Sequence, residues 1–502
     1  MNTIRDILSS ATSEGQAIGA PARPGVAFGE LLALVDRTVL SLNSLGVGRG
    51  DKLAIVLDNG PEMVAAFLAC ASACTTAPLN PAYREDEFFF YLDDLKAKAL
   101  LVAAGSDSPA LAAAARVGVP IIHLHARTEG PAGLFDLSGT SSAAATPGLA
   151  HSEDVALVLH TSGTTSRPKI VPLSHTNLLT SAANIVRTLK LGSSDRCLNI
   201  MPLFHIHGLV AAVLASLSAG ASVFCTPGFN ALKFFGWMNE ARPTWYTAVP
   251  TMHQAILARS SGNAEIIAAN PLRFIRSSSA SLPAPVFAEM ERVFGCPVIE
   301  AYSMTENAHQ MTSNQLPPGQ RKPGSVGLAA GPEVAIMAED GRLLPLGQIG
   351  EIVTRGANVT RGYENNPKAN SEAFTNGWFR TGDQGVMDDD GFLRLTGRLK
   401  EIINRGGEKI APLEVDEVLM AHPAVHQAVT FAIPHNKLGE DVAAVIVLRE
   451  GAQAGERDIR EFAAGRLADF KVPRRVVFVP EIPKGATGKM QRIGLAAKLG
   501  LA

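Results

Sequence analysis

Short apolar runs alternating with helix-period segments set the fold of this chain more than any other feature. Phe28, Leu31, Leu32, Val35, Val39, Leu42 and Leu45 recur at helical spacing, and Gly46 ends the run. Leu53–Leu57 follows as a short strand and Met63–Cys74 as a second helix. Ala99–Ala103 (strand), Pro109–Arg116 (helix) and Val119–Leu124 (strand) continue the alternation. Strands that are apolar throughout have both faces covered, and helices between them supply the crossovers that parallel pairing needs. The pattern predicts an α/β fold on parallel sheet. Ser138–Ala150, rich in Ser, Ala, Gly, Thr and Pro, reads as an exposed connector. Leu209–Phe224 is apolar but interrupted by Ser216, Ser218 and Gly220. It reads as a buried helix followed by a strand, not as a membrane span.

With 502 residues the chain is too long for one typical core, so two or more domains are expected. A boundary falls near Thr396–Leu399. Beyond it, Pro412 suits a helix first turn and Leu413–Ala421 gives one short helix. Val425–Ile433, Val442–Leu448 and Arg475–Val479 read as strands, with Ile459–Leu467 a helix between the last two. These make a small α+β domain of about 100 residues.

The formal charge of −2 and the lack of a basic block exclude an electrostatic footprint for nucleic acid. Five cysteines, Cys70, Cys74, Cys197, Cys225 and Cys296, are scattered and read as buried thiols in a reducing compartment. The first residues lack a signal-peptide apolar core and the last do not form a peroxisomal tripeptide. The expectation is a cytoplasmic enzyme with small-molecule partners, no membrane and no nucleic acid.

Val155–Leu159, a buried-strand pattern, runs into Thr161, Ser162, Gly163, Thr164, Thr165, Ser166, Arg167, Pro168 and Lys169. Hydroxyls, backbone N–H groups and a terminal cation at a strand's end can cradle phosphate, and Gly163 keeps the loop close. The spacing is not that of a P-loop. On these residues alone a solvated turn and a phosphate cradle are both open. Further along stand Glu300-Ala-Tyr-Ser-Met-Thr-Glu306, Thr381-Gly-Asp383, Gly397-Arg-Leu-Lys-Glu401 and Pro483-Lys-Gly-Ala-Thr-Gly-Lys489. Taken singly, Tyr302 could be core packing, Glu306 a salt-bridge partner, Asp383 a turn residue and Lys489 a surface lysine.

Together the ordered motifs resemble the adenylate-forming superfamily of acyl-CoA synthetases, peptide-synthetase adenylation domains and luciferases, over nearly the whole chain. Pro202-Leu-Phe-His-Ile-His-Gly208, Thr244–Pro250, Arg276–Leu282 and Asn404–Ile410 carry a closer similarity to oxalyl-CoA synthetases. The resemblance implies a large N-terminal domain (1–397) of layered, mostly parallel sheets with helices, and a small mobile α+β C-terminal domain (398–502). It implies ATP, Mg²⁺ and coenzyme A. Thr161, Ser162, Gly163, Thr164, Thr165 and Lys169 would hold the β and γ phosphates. Glu300, Ala301 and Tyr302 would hold adenine, with Thr305 beside them. Glu306 and Thr165 would hold the metal, and Asp383 the ribose diol. Arg398 would reach ribose or the α-phosphate. Lys400 would sit at the hinge, Gly406 and Gly407 along a pantetheine channel, and His205 would gate the phosphate side. Lys489 would bridge the acid and the α-phosphate during adenylation.

The acid-binding stretch departs from fatty and aromatic acyl-CoA synthetases. Ser278 and Ser279 replace a Gly-Gly pair, Ala308-His309 a Gly-Pro, Ser303 a Gly, and His207 an aromatic. An apolar tail would leave these donors without partners, at about 1–3 kcal/mol each. A second carboxylate would satisfy them, and the bulkier side chains shorten the pocket. Oxalate meets both constraints, with His207, Ser279 and His309 expected on its distal carboxylate. A metal pair at His205 and His207, an exposed His309, another short acid (malonate, glyoxylate, acetate) and a module loading a carrier protein are the competing readings.

Overall fold

The computed structural model describes residues 1–161, 168–484 and 490–501. Two parallel-centred sheets face each other across a layer of helices. The first has seven strands, in the order Phe135–Gly139, Ile121–Ala126, Ala99–Ala103, Lys52–Val56, Thr75–Pro78, Val155–Thr161, Lys169–Ser174. Its five inner strands are parallel, and an antiparallel strand closes each edge. The second has nine strands and runs from Leu328–Ala329 through His309–Ser313, Val298–Met304, Phe274–Ser278, Trp245–Ala248, Arg196–Asn199 and Ser222–Cys225 to Gln16–Ala20 and Arg23–Ala27.

Successive strand residues point to opposite faces, and burial follows that alternation. Leu53 and Ile55 join Trp245, Phe274 and Ile299 in one continuous core between the sheets. Helices Phe28–Ser44, Pro61–Ala71, His175–Leu189 and the segment from His207 to Ser218 contribute to the same core. Ala54 and Val56 face the other way, onto helices Glu85–Leu95 and Ala110–Val117. Tyr246, Ile275 and Val298 face helices Phe234–Ala241, Pro250–Leu257 and Ala284–Phe294. The result is five alternating layers of helix and sheet.

The expected helix at Phe28–Leu45 is present as Phe28–Ser44, with Leu34 added to its buried stripe. The expected strand Val119–Leu124 lies instead at Ile121–Ala126, because Gly118, at φ 79°, ends the preceding helix and Pro120 holds the chain before the strand. The connector expected from Ser138 begins later, since Phe135–Gly139 pairs along Ile121–Ala126. All five cysteines are buried and unbridged.

A third, five-stranded sheet was not anticipated. It is antiparallel and holds Glu333–Met337, Gly350–Arg355, Trp378–Met387, Phe374–Thr375 and Leu393–Arg398. Leu393–Arg398 is the last strand of this sheet. The turn Leu399–Glu401 then leads to a fourth sheet made of Glu408–Ile410, Ile403–Arg405, Gly439–Leu448, Val425–His435 and Arg475–Phe478. Helices Pro412–Met420 and Glu456–Ala464 pack on it.

Candidate active site

The site forms where the third sheet meets an edge of the nine-stranded sheet. Strand Val298–Met304 leaves the parallel core, turns through Thr305–Asn307 and returns antiparallel as His309–Ser313. The third sheet secures that turn. Thr354 Oγ1 donates to Asn307 Oδ1 (3.1 Å), Asn358 Nδ2 donates to Asn307 O (2.8 Å), and Thr360 N–H donates to Glu306 O (2.7 Å). Helix His175–Leu189 braces residues 357–360, from which two of these bonds come. Its Asn177 closes the helix N-terminus with Ser174 and donates through Nδ2 to Ala357 O (2.8 Å) and Val359 O (3.0 Å).

On one side of the turn lies a charged cluster. Tyr363 donates its hydroxyl to Glu306 Oε1 at 2.9 Å, and Lys169 Nζ stands 4.4 Å from the Tyr363 ring centroid. Glu306 is buried. Burial raises its carboxyl pKa, while its own backbone N–H, the Tyr363 hydroxyl, Lys169 and Arg398 pull it back down. Thr161 and Lys169 are cross-strand partners at the mouth of their hairpin. The loop between them, holding Ser162, Gly163, Thr164 and Thr165, lies outside the described residues, as does Lys489.

Tyr302 donates its hydroxyl to Asp383 Oδ2, and Arg398 Nε lies 3.2 Å from Asp383 Oδ1. Asp383 is a buried strand residue opposite Arg398, not a turn residue. The Tyr302 ring packs among Met311, Val326, Ile336, Ile352 and Leu393. Glu300 and Ala301, on the same strand, are buried too, and burial pushes the Glu300 carboxyl up to about 8.

The other side of the turn holds hydroxyls and imidazoles. His207 Nε2 is 2.7 Å from Thr247 Oγ1, and His207 Nδ1 is 3.1 Å from Ser279 Oγ. The His207 and His309 rings lie 4.9 Å apart, tilted by 35°. Ser278 Oγ donates to Ala301 O (2.9 Å) and lies 3.1 Å from Ser303 Oγ. Both imidazoles are buried, so His309 is not the exposed loop residue of the competing reading. No group of three metal-ligating side chains occurs among the described residues. His205 is half-buried, with its ring 4.7 Å from Phe204.

Two backbone features build this pocket. Ser279, Ala308 and His309 sit at φ of 74°, 48° and 96°, a region that glycine occupies readily. Holding side chains there costs on the order of 1–3 kcal/mol each, and such costs cluster at functional sites. His207 opens a π-helical segment, His207–Leu214, a widened turn that also concentrates at functional sites. Gly208 permits that turn, because a Cβ there would sit 2.4 Å from Pro202 O.

Thr247, Tyr363, Gln310 and Arg276 also belong to this assembly; Thr247 and Arg276 lie in stretches of the closer similarity, which assigns them no role, and Tyr363 and Gln310 carry no motif. Only the fold brings them in. Lys400 lies exposed in the turn Leu399–Glu401, and Gly406 and Gly407 form the turn between Ile403–Arg405 and Glu408–Ile410, at φ 62° and 100°.

The AMP-binding enzyme model matches residues 22–364, and the C-terminal domain model of the same enzymes matches residues 414–489. The chain belongs to the AMP-binding enzyme family. Within that family it is 45% identical over 95% of its length to an oxalate–CoA ligase of Arabidopsis thaliana, of which it covers 94%. It is 44% identical over 89% of its length to an oxalate–CoA ligase of Saccharomyces cerevisiae, of which it covers 86%. Among solved structures, ATP-bound MatB from Rhodopseudomonas palustris superposes with a TM-score of 0.88 at 31% identity, covering 98% of this chain and 97% of the other.

Proposed function

We propose that the chain is an ATP-dependent acid–CoA ligase that converts oxalate to oxalyl-CoA through an acyl-adenylate, releasing pyrophosphate and then AMP. The observation that carries this reading is the buried pocket of His207, Ser278, Ser279, Ser303 and His309. Its side chains are hydroxyls and imidazoles, where a long acid would need a greasy lining. Similarity to two oxalate–CoA ligases supports it.

A carboxylate is a poor acyl donor until its oxygen is esterified to AMP. One carboxylate oxygen attacks the α-phosphorus and pyrophosphate leaves. In this reading Lys169 and the loop Thr161–Thr165 hold the departing phosphates, Asp383 the ribose, Tyr302 with Glu300 and Ala301 the base, and Arg398 the ribose or α-phosphate. The donor set fits a hard cation, since Mg²⁺ takes one or two carboxylates plus phosphate oxygens. Glu306 and Thr165 would hold it, and it would neutralise phosphate charge. Lys489 supplies a cation to the charge that develops in adenylation. The CoA thiol then attacks the acyl carbon and AMP leaves, with the thiol arriving past Gly406 and Gly407. Residues 398–502 act as the moving unit about Lys400. A cytoplasmic location belongs to this reading, supported by five unbridged thiols. No helix among the described residues is long and apolar enough to cross a membrane.

ATP–pyrophosphate exchange with oxalate, malonate, glyoxylate and acetate tests the substrate. Oxalate supports the fastest exchange if the pocket reading holds, and an apolar or longer acid outcompeting it defeats that reading.

A further inference from the structure

Arg276 is a fully buried guanidinium on strand Phe274–Ser278. Its neighbours in the strand define its direction. Phe274 lies in the core between the sheets and Ile275 in the core on the opposite face, so Arg276 and Ser278 share the inner face with Phe274. Its register partner on one side is Thr247, which holds His207, and on the other Ile299. Nη2 makes one long contact, 3.5 Å to Gln310 Oε1, and Gln310 adjoins His309. Nε and Nη1 have no hydrogen-bond partner. No carboxylate among the described residues faces this cation, and burial alone accounts for its lowered pKa, about 9, at which it still carries its charge in neutral solution.

A buried charge is retained against its desolvation only when something compensates it. The core here offers Arg276 no anion, and one strand neighbour, Thr247, holds the His207 imidazole of the acid pocket. We propose that Arg276 is the anion-binding residue of that pocket, pairing with the carboxylate of a short dianionic acid that is not activated. The inference rests on the functional reading above for the position of the pocket, and adds the charge that selects a dianion. A guanidinium presents parallel N–H groups that match both oxygens of a carboxylate, so charge and orientation are fixed together.

The test uses the full-length chain with Arg276→Met, Arg276→Gln and Arg276→Lys. ATP–pyrophosphate exchange is compared with oxalate and with oxamate, the mono-amide of the same shape without the second charge. Loss of a buried charge partner lowers kcat/KM for oxalate on the order of 10²–10³-fold in the Met variant. Oxamate changes by no more than about threefold, and Lys restores part of the oxalate activity. The melting temperature of the substrate-free Met variant does not fall, because only the long Gln310 contact is lost and a buried charge is removed with it. Parallel loss with both acids, an unchanged oxalate-to-oxamate ratio, or a substrate-free protein strongly destabilised by Met overturns the assignment. Should the Met variant fail to fold, the ratio is read from the Gln and Lys variants. In the unaltered protein with a non-hydrolysable ATP analogue, oxalate must also raise the melting temperature more than oxamate does, and equal shifts overturn the proposal. If the unaltered protein activates oxamate but not oxalate, the functional reading itself fails. If it prefers oxalate and the variants keep that preference, only the role of Arg276 fails.

Discussion

Glu306 and Tyr363 are 57 positions apart in sequence yet share a hydrogen bond, and that bond is one of the contacts that favour the charged Glu306 carboxylate. Burial raises the Glu306 pKa, and the phenol, donating to the charged form, lowers it. Tyr363→Phe removes the donor, so Glu306 protonates at higher pH and the acid limb of the exchange rate moves upward. A hydrogen bond to a charged group contributes about 1.5–3 kcal/mol. The Mg²⁺ concentration for half-maximal exchange therefore rises about 10- to 100-fold in the Phe variant, measured at fixed ATP. An unchanged acid limb and metal dependence would show that the carboxylate does not serve the metal. Glu306 itself was legible from its motif, because a carboxylate beside a hydroxyl follows a strand there. Tyr363 was not, because an isolated tyrosine carries no spacing signal. Arg276 escaped for a related reason. Within the stretch Arg276–Leu282 it reads as one residue of a similarity, and its burial is a property of the assembled sheet.

At the scale of elements, the segment from His207 to Ser218 shows what a pattern contains and what it omits. Its apolar run and serine interruptions announced a buried helix followed by a strand, and both are present. The π-helical opening depends on the chain packing back on Pro202, which periodicity does not encode. Gly208→Ala forces a Cβ against Pro202 O. We expect a loss of about 1–3 kcal/mol in denaturant unfolding. We also expect a raised KM for the acid with ATP binding unchanged, since His207 is displaced and the charged cluster is not. Equal weakening of both substrates would contradict this. The parallel sheets were readable because doubly covered strands are apolar throughout. The antiparallel sheet between Glu333 and Arg398 was missed, because its strands mix buried and half-exposed residues, as in Glu333–Met337 and Trp378–Met387.

Across the whole molecule, buried titratable groups limit stability from both ends of the pH scale. Burial lowers His253 to about 3 and His175 to about 4, so both are neutral in the folded protein. Below about pH 6.5 the unfolded chain binds more protons at these positions, and stability falls as pH drops from there towards 3. Glu300 acts in the opposite direction. With a folded pKa of about 8 against 4.5 it binds more protons folded than unfolded, so its stabilising contribution declines as pH rises from about 4.5 to 8. Glu300→Gln should raise the melting temperature relative to the unaltered protein, by a margin that grows from pH 5 to pH 8. A margin independent of pH would refute the assignment. The two-unit reading makes a separate prediction. Lys489→Ala should abolish adenylation while thioester formation from supplied acyl-adenylate continues. Equal loss of both half-reactions would place Lys489 elsewhere in the mechanism.

The central claim is that buried hydroxyls and imidazoles, with the buried Arg276 guanidinium proposed beside them, make this chain a ligase for a compact dianion. Incubation with ATP, Mg²⁺, coenzyme A and an equimolar mixture of oxalate, glyoxylate, acetate and malonate, followed by mass spectrometry of the thioesters, tests it directly. The account predicts oxalyl-CoA as the dominant product, with one AMP released for each thioester formed. Dominance of acetyl-CoA, or of any thioester from an acid with a single charge, would contradict it.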